Sequence, residues 1–254
     1  MWKKKKMQLP GAAGRWAMLV ILTVAVWSLS GCMYPKSELK QNQAAPKEAV
    51  RNVQAAIDQY HSETGMLPMK TSPEETPVYE KFLVDFAQLK NKGYLSSIPT
   101  AAFENGGNYY FLIINEETKP QIKLMNLVTY QQINDIQTWV NEYKNSHDGQ
   151  LPKGEQAYPG YSYIDYKAMN KKAPELRSDY SFQTLAAIMD ESGRVYTDYG
   201  IDIMQVIQKK GDTALSKDTD LRMNLVDSDM FVPVKAPVYH WVNKEPQAVP
   251  AQTK

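Results

Sequence analysis

Between Pro46 and Gly65 the apolar side chains fall at Val50, Val53, Ile57 and Tyr60, with polar residues between them. This is the one-sided stripe of an amphipathic helix. Gly65 is placed to end that helix, and Leu67-Pro68 leads into a connector. After the mixed stretch Tyr79 to Leu89, the pairs Gly93-Tyr94 and Ile98-Pro99 lead to Gly106-Gly107. The run Asn108 to Ile114 (NYYFLII) is aromatic and β-branched, which predicts a strand. Residues 115–120 (NEETKP) turn, and Gln121 to Val128 returns with an alternating pattern, so a β-hairpin is predicted here.

The pattern then restarts. Thr129 with Gln132 three residues on has the form of a capping box. Ile133, Ile136, Val140 and Tyr143 repeat the spacing of the first stripe 83 positions later. Gly149-Gln-Leu151-Pro152 echoes Gly65-Met-Leu67-Pro68 at 84, and Tyr163-Ile164-Asp165-Tyr166 echoes Leu83-Val84-Asp85-Phe86 at 80. A second hairpin is legible as Phe182 to Met189, a turn at Asp190 to Gly193, and Arg194 to Tyr199. The shared order predicts an internal duplication whose length differences fall in loops. Ile201 to Lys210 predicts a short helix closed by Gly211. Phe231 to Val242 reads as an extended ribbon whose Pro233 and Pro237 suit an edge or a packed surface segment. The expected fold class is therefore α+β: two similar modules, each an amphipathic helix plus an antiparallel β-hairpin sheet, with an extended C-terminal segment. The divisions are 47–128 and 129–211 for the modules, 212–242 for a packing segment, and 243–254 for a disordered tail.

The N-terminus has a different pattern. Lys3 to Lys6 and Arg15 precede an apolar run of 14 residues, Trp16 to Leu29. That is the form of a secretory signal, and it is short of the roughly 20 residues a membrane span needs. Residues Leu29-Ser30-Gly31-Cys32 look like a lipobox, in which cleavage leaves a diacylglycerol-modified cysteine as the new N-terminus, with palmitate among its acyl chains. Residues 1–31 are thus expected to be a lipoprotein signal peptide, and residues 32–46 a lipidated cysteine with a polar tether. Two acyl chains supply stable attachment where one is marginal. The expected location is the extracytoplasmic face of the cell membrane.

Loss of the signal removes five basic residues and no acidic ones, so the formal charge of +1 becomes −4. A mildly acidic chain has no general attraction to nucleic acid. Cys32 is the single cysteine, so no disulfide framework is open to the folded part.

Candidate chemistry is sparse. There is no G-x-S-x-G elbow, H-E-x-x-H pair or phosphate-binding glycine loop. His61, His147 and His240 lack partners at metal-ligand spacing. Asp85 and Asp165 occupy matching places, and capping a helix start or bonding a backbone amide is the favoured role over general acid/base work. Asp218, Asp220, Asp227 and Asp229 read as an acidic surface, with calcium as the alternative. No catalytic residue, metal or cofactor is expected. Tyr158, Tyr161, Tyr163 and Tyr166 cluster within nine residues, and Tyr239 and Trp241 lie near the C-terminus. Exposed aromatics serve recognition because they bury large area at low entropic cost. Alternation at 161, 163 and 165 also suits a half-buried strand, so core packing is the favoured reading of the cluster. If a partner site exists, Tyr158, Tyr161 and Trp241 are its expected members, at least partly exposed and near one another.

Taken together, Leu29-Ser-Gly-Cys32-Met-Tyr34-Pro35, Gln54-Ala-Ala-Ile57-Asp58-Gln59-Tyr60, Gly65-x-Leu67-Pro68, Val84-Asp85-Phe86, Gly106-Gly107 and Phe231-Val232-Pro233 give the chain a family likeness. It resembles the YphF-type lipoproteins of spore-forming Gram-positive bacteria. The resemblance implies kinship of fold and brings no activity with it. Each half also resembles, more loosely, the globular part of type II pseudopilins. The functional expectation is a non-catalytic, membrane-anchored envelope lipoprotein that binds a protein partner or supports an envelope assembly. The alternative is a module binding peptidoglycan or another glycan.

Overall fold

The computed structural model describes residues 40–211 and 219–250, with side chains from Pro46 onward. The signal segment, Cys32 and its lipobox, Asp218 and the last four residues lie outside the described residues. The architecture is α+β, with small antiparallel sheets covered by helices.

Helix α1 (Lys40–Thr64) buries Ala49, Val53, Ala56, Ile57 and Tyr60 along one side. It begins six residues before the expected end of the tether. Gln and Ala before Pro46 are good helix formers, and the proline is carried inside the helix. Gly65 ends it at φ 68°, donating its N–H to the His61 carbonyl at 2.8 Å. Two short helices follow, α2 (Val78–Lys81) and α3 (Phe86–Asn91), the latter capped by the Asp85 carboxylate accepting from the Gln88 N–H.

Strands β1 (Tyr109–Ile114) and β2 (Gln121–Asn126) pair antiparallel, Phe111 opposite Leu124 and Ile113 opposite Ile122. Those four side chains face the α1 core. On the other side Leu112, Ile114 and Met125 join Tyr79, Val226, Val232 and Val234 in a second apolar layer. Covering on both faces explains why this strand is a continuous apolar run rather than an alternating one. The sheet is widened by bridges Leu83 to Leu112 and Met69 to Val84 on one side, and by a parallel bridge from Leu124 to Phe231 on the other.

Helix α4 (Leu127–Ser146) starts directly from β2. Its cap is Asn126, whose Oδ1 accepts from the Val128 and Thr129 N–H groups, and not Thr129, which is buried. The helix packs Ile133, Ile136 and Val140 against a four-stranded sheet of order β3-β4-β7-β8. Its strands are β3 (Lys153–Tyr158), β4 (Tyr161–Ile164), β7 (Ala187–Asp190) and β8 (Val195–Thr197), and β5 (Leu176–Arg177) pairs separately with β6 (Thr184–Leu185). The expected second hairpin is shorter than its apolar run, because Phe182 turns the chain at φ 60° with its ring exposed. Helix α5 (Gly200–Lys210) ends at Gly211, and α6 (Arg222–Ser228) follows.

The tail expected to be disordered from 243 is in fact a strand as far as Val249. β9 (Val238–Val242) and β10 (Glu245–Val249) form a hairpin around Asn243 and Lys244, at φ 51° and 70°. Positive φ at both loop residues is the two-residue turn that matches strand twist. Tyr239 and Ala248 insert into the α4 core, which gives this otherwise polar segment its reason to order.

Several hydrogen bonds occur twice. Gln54 accepts from the Ile122 N–H at 2.8 Å and donates to the Pro120 carbonyl at 3.1 Å. Gln137 accepts from the Val195 N–H at 2.8 Å and donates to the Gly193 carbonyl at 2.8 Å. Each glutamine thus ties its helix to the start of a returning strand. The Asp85 N–H donates to Pro68, and the Asp165 N–H to Pro152, both at 2.8 Å. The pairings Met69–Val84 and Leu83–Leu112 in the first half correspond to Lys153–Ile164 and Tyr163–Ile188 in the second.

Candidate functional site

Strand β4 decides which aromatic groups are free. Tyr161 and Tyr163 lie two residues apart on it and so share a face. The end of β10 reaches the first of them, whose hydroxyl donates to the Val249 carbonyl at 3.0 Å, and Tyr161 is buried with its ring edge-on to Tyr196. Tyr163 is left 40% exposed. The expectation of an accessible Tyr161 is therefore corrected. The strand that reaches it, β10, comes from the tail expected to be disordered.

Tyr158, at the end of β3, is half-buried and tied down. Its hydroxyl donates to the Asp198 carboxylate at 3.0 Å, and its ring stands edge-on to Tyr239. Burial, then the Asp198 charge, push this phenol well above its ordinary range. Asp198 also accepts from the Tyr239 hydroxyl at 2.8 Å and the Gly200 N–H at 2.9 Å. Glycine at 200 lets the bond from Tyr158 to Asp198 form, since a Cβ there would lie 2.4 Å from the Tyr158 hydroxyl and push it aside. Trp241 is half-buried on β9 against the α4 core. The three expected members do not form one open surface: Tyr158 lines a groove, Tyr161 is core, and Trp241 lines neither described cavity.

The groove that Tyr158 lines has a volume of about 380 Å³. Tyr163, Ile201 and Met204 supply its apolar surface, and Glu245 and Gln247 its polar rim. Ile201 is 50% exposed at the first turn of α5, so two large apolar groups meet solvent here. Sequence reasoning missed Ile201, Glu245 and Gln247. The first sits at the exposed start of a helix whose stripe faces inward, and the other two lie on a strand with no local signature.

Several of the remaining candidates have structural partners. Asp165 accepts from the Lys167 and Ala168 N–H groups, matching the Asp85 cap. His61 and His147 are exposed at helix ends, the latter stacked on Tyr143 at 3.8 Å. Asp220 is bound by the Arg222 guanidinium at 2.7 Å. No cluster of three or more His, Cys, Asp or Glu residues able to hold a metal occurs among the described residues. None of the described helices is long and apolar enough to cross a membrane.

A different carboxylate is electrostatically unusual. Asp179, in the loop between β5 and β6, is held by the Asn126 amide at 2.9 and 3.1 Å. Burial pushes its carboxyl up to about 7, the amide opposes that rise, and the Asp229 and Asp202 charges add to it. Asp202, buried on α5 and bonded by the Ser178 hydroxyl at 2.8 Å, is raised for the same first reason.

With this geometry known, comparison with other proteins separates the halves. Residues 46–126 match the YphF family N-terminal domain. The matched stretch runs from inside α1 to the last residue of β2, so the similarity falls within the first module and stops where Asn126 caps α4. The groove residues lie outside the matched stretch. No curated protein and no solved structure matches the chain, so the looser likeness to pseudopilins gains no support.

Proposed function

We propose that the protein is a non-catalytic envelope lipoprotein of the YphF type. Lipid on Cys32 holds it on the extracytoplasmic face of the membrane, and the groove beside Tyr163 binds a protein partner. The observation that supports this most is the exposure of Tyr163 and Ile201 across a groove whose back wall, Tyr158, is immobilised through Asp198. A rigid aromatic wall with exposed apolar groups is the composition of an interface hot spot. Ile201 and Met204 give a protein side chain apolar contacts within a lining that is more polar than apolar. Glu245 and Gln247 beside the Tyr163 ring favour the second reading, a cell-wall glycan bound by stacking and hydrogen bonds.

A photo-crosslinking residue at position 163, in cells carrying the full chain, separates the two. Partner binding predicts a discrete protein adduct that Ile201→Asp abolishes, with no change in pelleting with purified peptidoglycan. Pelleting that is lost in Tyr163→Ala, with no protein adduct, would establish the glycan reading instead. Cys32→Ser should release the protein or leave its precursor unprocessed. A variant that stays processed and membrane-bound would rule out the lipid anchor. The paired roles of Gln54 and Gln137 support reading the two halves as copies of one module.

A further inference from the structure

A second cleft, of about 190 Å³, lies where three stretches of chain converge: α2 with Pro77, the Arg194–Tyr196 segment of the second sheet, and residues 233–238 with Arg222. Its walls are flat and largely apolar, formed by Tyr79, Tyr161, Tyr196 and three prolines. Its charged groups are unbalanced. Arg194, Arg222 and Lys235 line it with Glu80 as the one carboxylate among the lining residues.

Two of the cations are held in place. Lys235 bonds Glu80 at 3.0 Å with its ammonium 4.4 Å from the centre of the Tyr130 ring. Arg222 grips Asp220 through its Nε and Nη2, donates from Nη1 to the Ala236 carbonyl, and lies 5.1 Å from the centre of the Tyr79 ring. Arg194 differs. It is exposed, its charge opposes the rise that burial imposes on the Tyr196 phenol, and it forms no salt bridge to a carboxylate among the described residues. The Tyr196 hydroxyl itself donates to Asp190 at 3.1 Å, on the turn that precedes Arg194.

The backbone carries a second mark. Lys235 adopts φ 52°, a conformation that is costly for a lysine, and its carbonyl is pinned by the Thr197 N–H at 3.0 Å. Its neighbour Val234 is held by the Tyr199 hydroxyl at 3.2 Å. The surrounding fold thus forces this lysine into the rim of the cleft.

We propose that this cleft binds a small organic anion, a carboxylate carried on a flat apolar body, with Arg194 as the cation that receives it. The cleft is too small for a folded partner and matches a side-chain-sized ligand or the end of a polypeptide. The half-buried Tyr196 offers its ring to the apolar body, over a floor to which the buried Tyr79 and Tyr161 contribute. Arg194 has a planar fork suited to a carboxylate, and it gives up no existing ion pair to bind one. Arg222 and Lys235 are each already paired with a carboxylate, which leaves Arg194 as the lining cation with none among the described residues. This site shares no lining residue with the groove beside Tyr163 and stands or falls separately from it.

The test is saturation-transfer NMR on the full chain in lipid nanodiscs, titrated with benzoate, benzamide and N-acetyl-L-phenylalanine. Benzoate should bind saturably and benzamide at least about tenfold more weakly, since it lacks the charge. Arg194→Gln should bring benzoate down to the benzamide level while leaving the melting temperature unchanged. Lys90→Gln, on α3, should leave binding as it was. Tighter binding of N-acetyl-L-phenylalanine than of benzoate would identify a polypeptide C-terminus as the natural source, and the reverse order a free aromatic acid. Equal binding of benzoate and benzamide, full binding by Arg194→Gln, or no saturable signal at millimolar concentration would each overturn the assignment.

Discussion

Replacing Asp179 with asparagine should make the protein more stable at neutral pH and leave it nearly unchanged in acid. In the unfolded chain this carboxyl titrates near its ordinary value of 3.8, and in the fold burial lifts it to about 7. Below the lower value both states hold the proton and the stability associated with it is fully present. Between the two, the unfolded chain releases its proton while the folded one keeps it, so stability falls as pH rises, and above about 7 the loss is complete. A gap of about three pH units, at ~1.4 kcal/mol each, sets a ceiling of about 4 kcal/mol. Asp179 keeps some solvent exposure, which screens the effect, and about 2 kcal/mol is the working expectation. Asparagine can still accept the Asn126 hydrogen bond, carries no charge to desolvate, and removes repulsion from Asp229 and Asp202. Urea unfolding of both proteins from pH 4 to pH 8 measures the difference directly. The advantage of Asp179→Asn should grow through that range. A difference that is constant with pH, or a variant that is less stable at pH 8, would show that the folded protein holds Asp179 as an ordinary ionised carboxylate.

Gly107→Ala should cost at least about 2 kcal/mol, because a Cβ there would lie 2.1 Å from the Ala101 carbonyl oxygen and backbone has to move; an unchanged melting curve would refute the packing. Gln54→Ala and Gln137→Ala should each cost about 1–3 kcal/mol by leaving the Ile122 or Val195 N–H without its partner, and similar losses would support equivalent roles. Gly200→Ala should displace the Tyr158 hydroxyl from Asp198, seen as a changed Tyr158 ring environment in NMR, whereas Tyr163→Ala should shift stability by only about 0.5 kcal/mol.

Local interactions left a readable trace. The Val53–Ile57–Tyr60 and Ile133–Ile136–Val140 stripes, the Asp85 cap and the helix-ending Gly65 and Gly211 depend on neighbours within a few residues, so spacing alone reveals them. The recurrence of the first pattern 83 positions on pointed to two halves for the same reason. Capping at Asn126 was harder to see, because a strand that runs straight into a helix leaves no turn residues between them.

Long-range pairing decided the rest. Phe231 and Val232 acquire their place from Leu124, and the Lys123 ammonium reaches across to the Asp229 carbonyl at 2.6 Å, more than a hundred residues away. The segment 243–249 has a polar composition and a proline, and its turn uses Asn-Lys in place of a glycine pair, so no local pattern announces a strand. Once β9 supplies its hydrogen bonds and the α4 core receives Ala248, the strand forms. That one non-local event buries Tyr161, leaves Tyr163 exposed, and brings Glu245 and Gln247 to the groove. The sequence alone determined which residues were aromatic and available on β4. Which of them meets solvent was settled only by a hairpin closing from the far end of the chain, since burial depends on the partner strand and not on the residue itself.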